Sequence, residues 1–174
     1  MLKIVLLLII GAVAAIFGIA STKPNSFRYE RRIDIKASPE KIAGVLNDLK
    51  KGILWSPFEQ IDPNGKRTFS GADSGVGAAY DWDGNNKAGA GRMVILESTP
   101  TKIVLSLDFF RPFRASNKVD FIMDPHGDTT TLIWAMYGPN PFMGKVMSIF
   151  IDCEKMITGD FDKGLANLKA LLEK

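Results

Sequence analysis

The sequence predicts an α+β fold: an antiparallel sheet of about seven strands, a long C-terminal helix, and an apolar helix in front of both. Three observations carry this. A succession of strand-like segments separated by turn signals fills the middle of the chain. Apolar residues recur at steps of three and four from Phe142 to the C-terminus. The stretch Ile4–Ala20 contains no charged or strongly polar side chain. With 174 residues, 46% hydrophobic and 24% charged, the chain has room for one domain and a short extension. We divide it into an anchor at 1–22, a linker at 23–26 and a domain at 27–174.

The Ile4–Ala20 run (IVLLLIIGAVAAIFGIA) is about 25 Å long as a helix, slightly short of a ~30 Å hydrocarbon core. Met1 and Lys3 extend it, and bilayer thinning accommodates a small mismatch. The competing reading is a cleaved signal peptide, with Gly18-Ile19-Ala20 before Ser21 as the small-residue site. The apolar stretch exceeds the usual ~7–15-residue core of such peptides, which favours a single-pass N-terminal membrane anchor. A buried core helix fits less well, because the segment is apolar on every face and ends at Lys23-Pro24-Asn25. Lys23, Arg28, Arg31, Arg32 and Lys36 follow the span and only Lys3 precedes it, which favours a cytoplasmic domain. Most of these cations fall on the first strand rather than a free loop, so the side of the membrane stays open.

Phe27–Ala37 alternates polar and apolar residues as a first strand. Ser38-Pro39-Glu40 then opens a helix with a capping hydroxyl, a proline at its first position and an early carboxylate. Its buried stripe is Ile42, Val45, Leu46 and Leu49; Gly52 is expected to end it, and Trp55-Ser56-Pro57-Phe58 to lead away extended. Strands are expected at Lys66–Ser70, Val76–Trp82, Gly91–Ser98, Ile103–Phe110, Ser116–Met123 and Thr129–Tyr137. Gly138-Pro139-Asn140-Pro141 stops the last of these and offers Asn140 as the cap of the final helix. That helix is read as one element of about thirty residues, with Gly159 and Gly164 placed to bend it.

Several classes of function are disfavoured. The 22 basic and 19 acidic residues are interleaved, without the basic stripe of a nucleic-acid binder. One cysteine, Cys153, allows no internal disulfide, and one histidine, His126, lies in the turn Asp124-Pro125-His126-Gly127-Asp128. No spacing suits a metal site, and Gly75 and Gly77 lack any phosphate-loop or dinucleotide continuation, so no cofactor is expected.

The element order, with Trp55-Ser56-Pro57-Phe58 after the first helix and Ser74-Gly75-Val76-Gly77-Ala78 leading to Trp82, resembles the SRPBCC (START-like) superfamily. The resemblance is nearest to its polyketide cyclase/dehydrase-like branch and spans roughly Phe27–Lys174. It implies a helix-grip: a curved sheet wrapped around the long helix, with a cavity between. Members include lipid carriers, aromatic cyclases, hormone receptors and co-chaperone-like proteins, and no catalytic set is common to all. A strongly curved sheet and one helix cannot always fill the space between them, and pockets lined by aromatics with a few polar groups are the usual result. The ligand-binding candidates are Trp55, Tyr80, Trp82, Met93, Phe109, Phe121, Trp134, Met136, Met143, Met147 and Phe150, with Phe58 beside them. Methionine suits surfaces that adapt to varied ligands. Glu154 joins them because, at 100° per residue from Met143, it falls inside the stripe of Met147, Phe150, Ile157 and Phe161. A carboxylate there needs a partner, for which Arg92 and Arg114 are candidates, or a wet cavity. The expected function is non-catalytic binding of a hydrophobic small molecule or lipid near a membrane. The alternatives are a cyclase, dehydratase or hydrolase using a pocket carboxylate such as Glu154 with Tyr80, and a protein-interaction module of co-chaperone type.

Overall fold

The computed structural model describes all residues, Met1–Lys174. Helix α1 (Leu2–Thr22) precedes strand β1 (Ser26–Ile35), helix α2 (Pro39–Leu46) and two 3₁₀ turns at Leu49–Leu54 and Pro57–Gln60. Six strands follow: β2 (Lys66–Gly71), β3 (Ala78–Asp83), β4 (Ala90–Thr99), β5 (Lys102–Arg111), β6 (Ala115–His126) and β7 (Thr129–Pro139). Helices α3 (Phe142–Phe150) and α4 (Cys153–Leu172) complete the chain. The seven strands form one antiparallel sheet in the order β1-β7-β6-β5-β4-β3-β2. Each strand thus pairs with its chain neighbour, and only β1 crosses to join β7. Register shifts in β4 between Ala90 and Gly91, and between Ile95 and Glu97, are of the kind that bend a strand and add twist. The result is the helix-grip, with a curved sheet closed around α4.

The concave face follows from strand alternation. Ile95, Ile103, Leu105, Val119, Phe121, Met123, Leu132, Trp134 and Met136 point inward and are buried with Ile42 and Leu46 of α2 and Phe161, Leu165, Leu168 and Leu172 of α4. The centre of this core is Trp134, only 5% exposed. Phe161 stacks on it at 4.3 Å, and Trp55 and Phe121 lie 5.2 and 5.3 Å away. Helix α4 approaches this closely because residue 164 is glycine: a Cβ there would lie 2.7 Å from Cζ3 of Trp134 and 3.0 Å from Cδ of Pro57. Polar ties hold the helix along its length. Arg31 donates to Thr158 Oγ1 at 2.8 Å, Asn167 Nδ2 to the Trp55 carbonyl at 3.1 Å, and the Lys36 amide to Glu173 at 2.6 Å.

The structure corrects four expectations, one of them the cap of the final helix: α3 begins after Pro141 with no side-chain cap, and Asn140 Nδ2 donates to the Pro24 carbonyl at 3.2 Å instead. The other three concern the helices and the turns. The C-terminal helix is two helices: Ile151 is extended (φ −126°, ψ 127°), and Asp152 caps a new helix by accepting from the Lys155 amide at 2.9 Å. A capping carboxylate satisfies backbone donors that a continuous helix would have bonded internally, so Asp152 restarts the helix rather than continuing it. Helix α4 then runs unbroken through Gly159 and Gly164, which the sequence reading had placed as bends. Second, α2 ends at Leu46, and Gly52 lies within the following 3₁₀ turn. Third, Pro57 opens a 3₁₀ turn where an extended exit was expected, and Asn167 fastens the preceding Trp55 carbonyl to α4.

The packing at residue 164 can be tested against a control in the same helix. Gly164→Ala should gain roughly 1 kcal/mol of helix propensity but lose about 1–3 kcal/mol to overpacking against a tryptophan that cannot move aside. Gly159, where an added Cβ meets nothing within 4 Å, should instead stabilise on change to alanine by about 0.5–1 kcal/mol. Paired urea denaturation of Gly164→Ala and Gly159→Ala should therefore show opposite shifts.

Candidate functional site

Between α4, the 3₁₀ turns and the concave face lies a cavity of about 480 Å³, within the range of small-molecule sites. Cross-strand rows build its floor. Tyr80 pairs with Met93, which pairs with Leu107; Trp82 pairs with Gly91, which pairs with Phe109. Gly91 lets Trp82 lie flat on the sheet, since a Cβ there would fall 2.3 Å from the ring. The Trp82 indole N–H donates to the Ala88 carbonyl at 3.1 Å, and Phe109 packs edge-on at 5.6 Å, so the ring is held on both sides. Val119, Phe121, Trp134 and Met136 continue the floor across β6 and β7. The roof is Trp55, Phe58 and Ile61 with Met156, Ile157 and Phe161 of α4.

Eight of the twelve residues proposed from sequence line this cavity: Trp55, Tyr80, Trp82, Met93, Phe109, Phe121, Trp134 and Met136. Met143, Met147, Phe150 and Glu154 do not. The reason is the break at Ile151–Asp152, which resets the helical phase and separates α3 from the stripe that covers the sheet. Glu154 sits exposed in the first turn of α4, and Met143, Met147 and Phe150 are exposed on α3. The partners considered for Glu154 are also elsewhere: Arg92 pairs with Asp81 at 2.9 Å, and Arg114 is exposed in the β5–β6 connection.

The polar end of the cavity was not anticipated. Glu59 and Arg67 form a mostly buried ion pair at 2.7 Å beside Tyr80. Arg67 also donates to the carbonyls of Glu59, Asp62, Pro63 and Gly65, at 3.0, 3.3, 3.0 and 3.1 Å. Its donors are thus committed to closing the loop 59–65 over the cavity, and the Glu59 carboxylate neutralises it. Burial, followed by the Glu59 carboxylate, raises the pKa of the Tyr80 phenol well above 10.0, with Arg67 opposing. Tyr80 therefore faces the cavity as a protonated hydroxyl at neutral pH, able to donate to or accept from a bound polar group. Phe69 stacks against its ring at 5.0 Å. Glu59 and Arg67 stand eight residues apart around a turn, and nothing in that spacing distinguishes them from a surface pair.

Two further polar groups are built into the apolar wall. The indole N–H groups of Trp55 and Trp134 are buried without a hydrogen-bond acceptor. Each such donor costs about 1–3 kcal/mol, and the surrounding ring faces offset this only weakly. No three His, Cys, Asp or Glu side chains converge as a metal site.

The family described as polyketide cyclase / dehydrase and lipid transport matches residues 26–173. Among solved structures the chain is similar to a protein of Chromobacterium violaceum, at 16% identity over 87% of this chain and 99% of that one, with a TM-score of 0.59. It is similar to the Aha1 dimer of Colwellia psychrerythraea at 19% identity over 84% and 96% of the two chains, with a TM-score of 0.57. It is also similar to the di-domain ARO/CYC BexL from the BE-7585A biosynthetic pathway, at 9% identity over 90% of this chain and 53% of that one, with a TM-score of 0.61. At these identities the likeness is one of fold. No curated protein matches.

The raised pKa of Tyr80 has a defined signature. Above pH 10 the phenol ionises in the unfolded chain but not in the folded one, so the unfolded state binds fewer protons and stability falls as pH rises. The contribution is complete below the unfolded value and lost through the folded one. Tyr80→Phe should flatten this part of the alkaline decline, measured as urea stability from about pH 9 to about pH 11.

Proposed function

Because this chain belongs to the polyketide cyclase / dehydrase and lipid transport family of the SRPBCC superfamily, we propose that its cavity binds a hydrophobic small molecule or lipid, and that residues 1–22 hold the domain 27–174 at a membrane. The observation that carries the reading is the cavity itself, about 480 Å³ with a largely apolar lining and with the Glu59–Arg67 pair beside Tyr80. Such a site favours a long or flat apolar ligand with one hydroxyl or carbonyl directed at Tyr80. The eight lining residues named from sequence, with Phe58, Leu107 and Ile157, are the contact surface we assign to it. Burying this much ligand supports micromolar affinity, roughly −8 kcal/mol, without ionic contacts.

Binding without chemistry is favoured over a cyclase or dehydratase by the state of the carboxylate nearest Tyr80. Glu59 is paired with Arg67 at 2.7 Å, so its charge is held in an ion pair rather than free for proton transfer with the phenol. The enzyme reading keeps one supporting feature, the juxtaposition of Tyr80 and Glu59 at the polar end. The anchor reading is supported by α1, which is long and apolar enough to span a bilayer and has only Ala20 buried against the rest of the molecule.

Native mass spectrometry of the full chain extracted in mild detergent should reveal a co-purified apolar ligand. Leu107→Trp, which places a larger side chain in the void rather than in packed core, should weaken binding of a fluorescent fatty acid by about tenfold, or 1.4 kcal/mol. Glu154→Gln should leave that binding unchanged, because the residue lies outside the cavity. Equal affinity in both variants would remove the cavity from consideration. The anchor is checked separately: the full chain should resist alkaline carbonate extraction, and a mature N-terminus at Ser21 would show cleavage instead.

A further inference from the structure

Helix α3 has its polarity inverted. Lys145 is buried, and its Nζ donates to Asn25 Oδ1 at 2.6 Å. Ser148 also faces the linker, accepting from Lys23 Nζ at 2.9 Å through its hydroxyl and at 3.0 Å through its carbonyl. The apolar residues lie on the other side, with Met143 64% and Phe150 69% exposed and Met147 beside them. A surface helix of a water-soluble protein turns its polar face outward. A helix fixed in this orientation by three buried or half-buried polar contacts presents a lasting apolar face, the mark of a surface covered by lipid or protein.

The strand register shows what else shares this end of the molecule. Ser26 pairs with Pro139, Phe109 with Ala115, and Ala90 with both Asp83 and Arg111, so the exit of α1, the start of α3 and the β5–β6 connection lie along one edge of the molecule, at the same ends of the strands. The β5–β6 connection carries Phe113, 69% exposed, between Arg111 and the exposed Arg114. Arg111 is paired with Asp83, leaving Arg114 free of any salt bridge. Helix α1 packs on α3, with Phe17 edge-on to Phe142 at 5.4 Å, so α3 is level with the last turns of the apolar run.

We propose that this edge is a bilayer-docking face: α3 and the Phe113 tip seat in the headgroup–acyl boundary of the membrane that α1 spans, and the ligand cavity opens onto it. The proposal rests on the anchor reading above. The occupant follows from continuity with α1, because a helix held against the end of a membrane span can reach only the interface beside it. The Ile4–Ala20 run is a little short for a hydrocarbon core, and the apolar face of α3 extends it laterally at the boundary. An apolar wedge beside a free arginine is the composition that such interfaces take, the side chain inserting and the cation meeting phosphate. The cavity rim carries exposed Met156 and Lys87 at the same edge, so an apolar ligand could pass from the bilayer into the site without crossing water.

The test uses the full chain with Cys153→Ser and single cysteines carrying an environment-sensitive fluorophore, in phosphatidylcholine–phosphatidylglycerol vesicles containing doxyl-labelled lipid. The four positions are Ile10→Cys in the span, Phe113→Cys and Phe150→Cys on the face, and Asp128→Cys in the opposite hairpin. All four native residues are exposed, so labelling does not disturb the core. Labels at Phe113 and Phe150 should lose roughly half their emission to quenchers seated ~5–10 Å below the headgroups, as Ile10 does, while Asp128 stays bright. If Ile10 is quenched but Phe113 and Phe150 behave like Asp128, the docking face is wrong and the anchor stands. An unquenched Ile10 overturns the anchor and this proposal together. Shielding at Phe113 and Phe150 that ignores doxyl lipid and grows with protein density would assign the face to a second copy of the chain, and overturns it too.

Discussion

The contact on which the rest of this structure depends is the seating of α4 on Trp134. A sheet that curves around a single helix leaves a tapering space, and the helix must touch the sheet at one end to leave a void at the other. Gly164 supplies that touch, bringing the α4 backbone against the indole, while Phe161 stacks on its face at 4.3 Å. Trp55 and Phe121 close the cluster, and Asn167 fixes the loop bearing Trp55 to α4. Toward the C-terminus, Leu165, Leu168 and Leu172 fill the core completely; toward the N-terminus, Ile157 and Met156 diverge from the floor and the cavity begins. The same tryptophan therefore ends the core and starts the site.

The cavity is kept open by the residues around it. Trp82 is pinned by the Ala88 carbonyl and Phe109, Tyr80 by Phe69 stacked against its ring, and the loop 59–65 by the guanidinium of Arg67. Collapse would have to break these bonds, and a hydrogen bond broken in a site shielded from water is not replaced by one to solvent. The indole N–H groups of Trp55 and Trp134 lie at the junction of core and cavity without an acceptor among the protein's own atoms. Polar groups thus bear mainly on the frame, and the lining is mainly apolar.

The inverted helix α3 joins the site to its surroundings. Its inward Lys145 and Ser148 are bonded to Asn25 and Lys23, residues of the segment between α1 and β1. The orientation of α1 relative to the domain is thereby set by charge-assisted hydrogen bonds rather than left to a flexible tether. Helix α1 in turn packs on α3 through Phe17 and Phe142, so the two helices move as one unit with the domain.

The order of elements, the apolar N-terminal run, the antiparallel meander and most of the cavity floor were legible in the sequence. Their signals are local: alternation places Tyr80, Trp82, Phe121 and Trp134 on one face whatever the partner strand, and a run without charge is apolar in any context. The Ser38-Pro39-Glu40 cap likewise acts through neighbouring atoms. Tertiary structure decided the rest, for reasons that are competitive or long-range. Asp152 reads equally well as an exposed helix residue and as a cap, and choosing the cap split the helix, turned Glu154 to solvent and carried Met143, Met147 and Phe150 away from the cavity. Glu59 and Arg67 became the polar end only because the loop between them folds back over β3. Gly164 resembles a weak point in a helix until Trp134, thirty residues earlier in the chain, is placed against it.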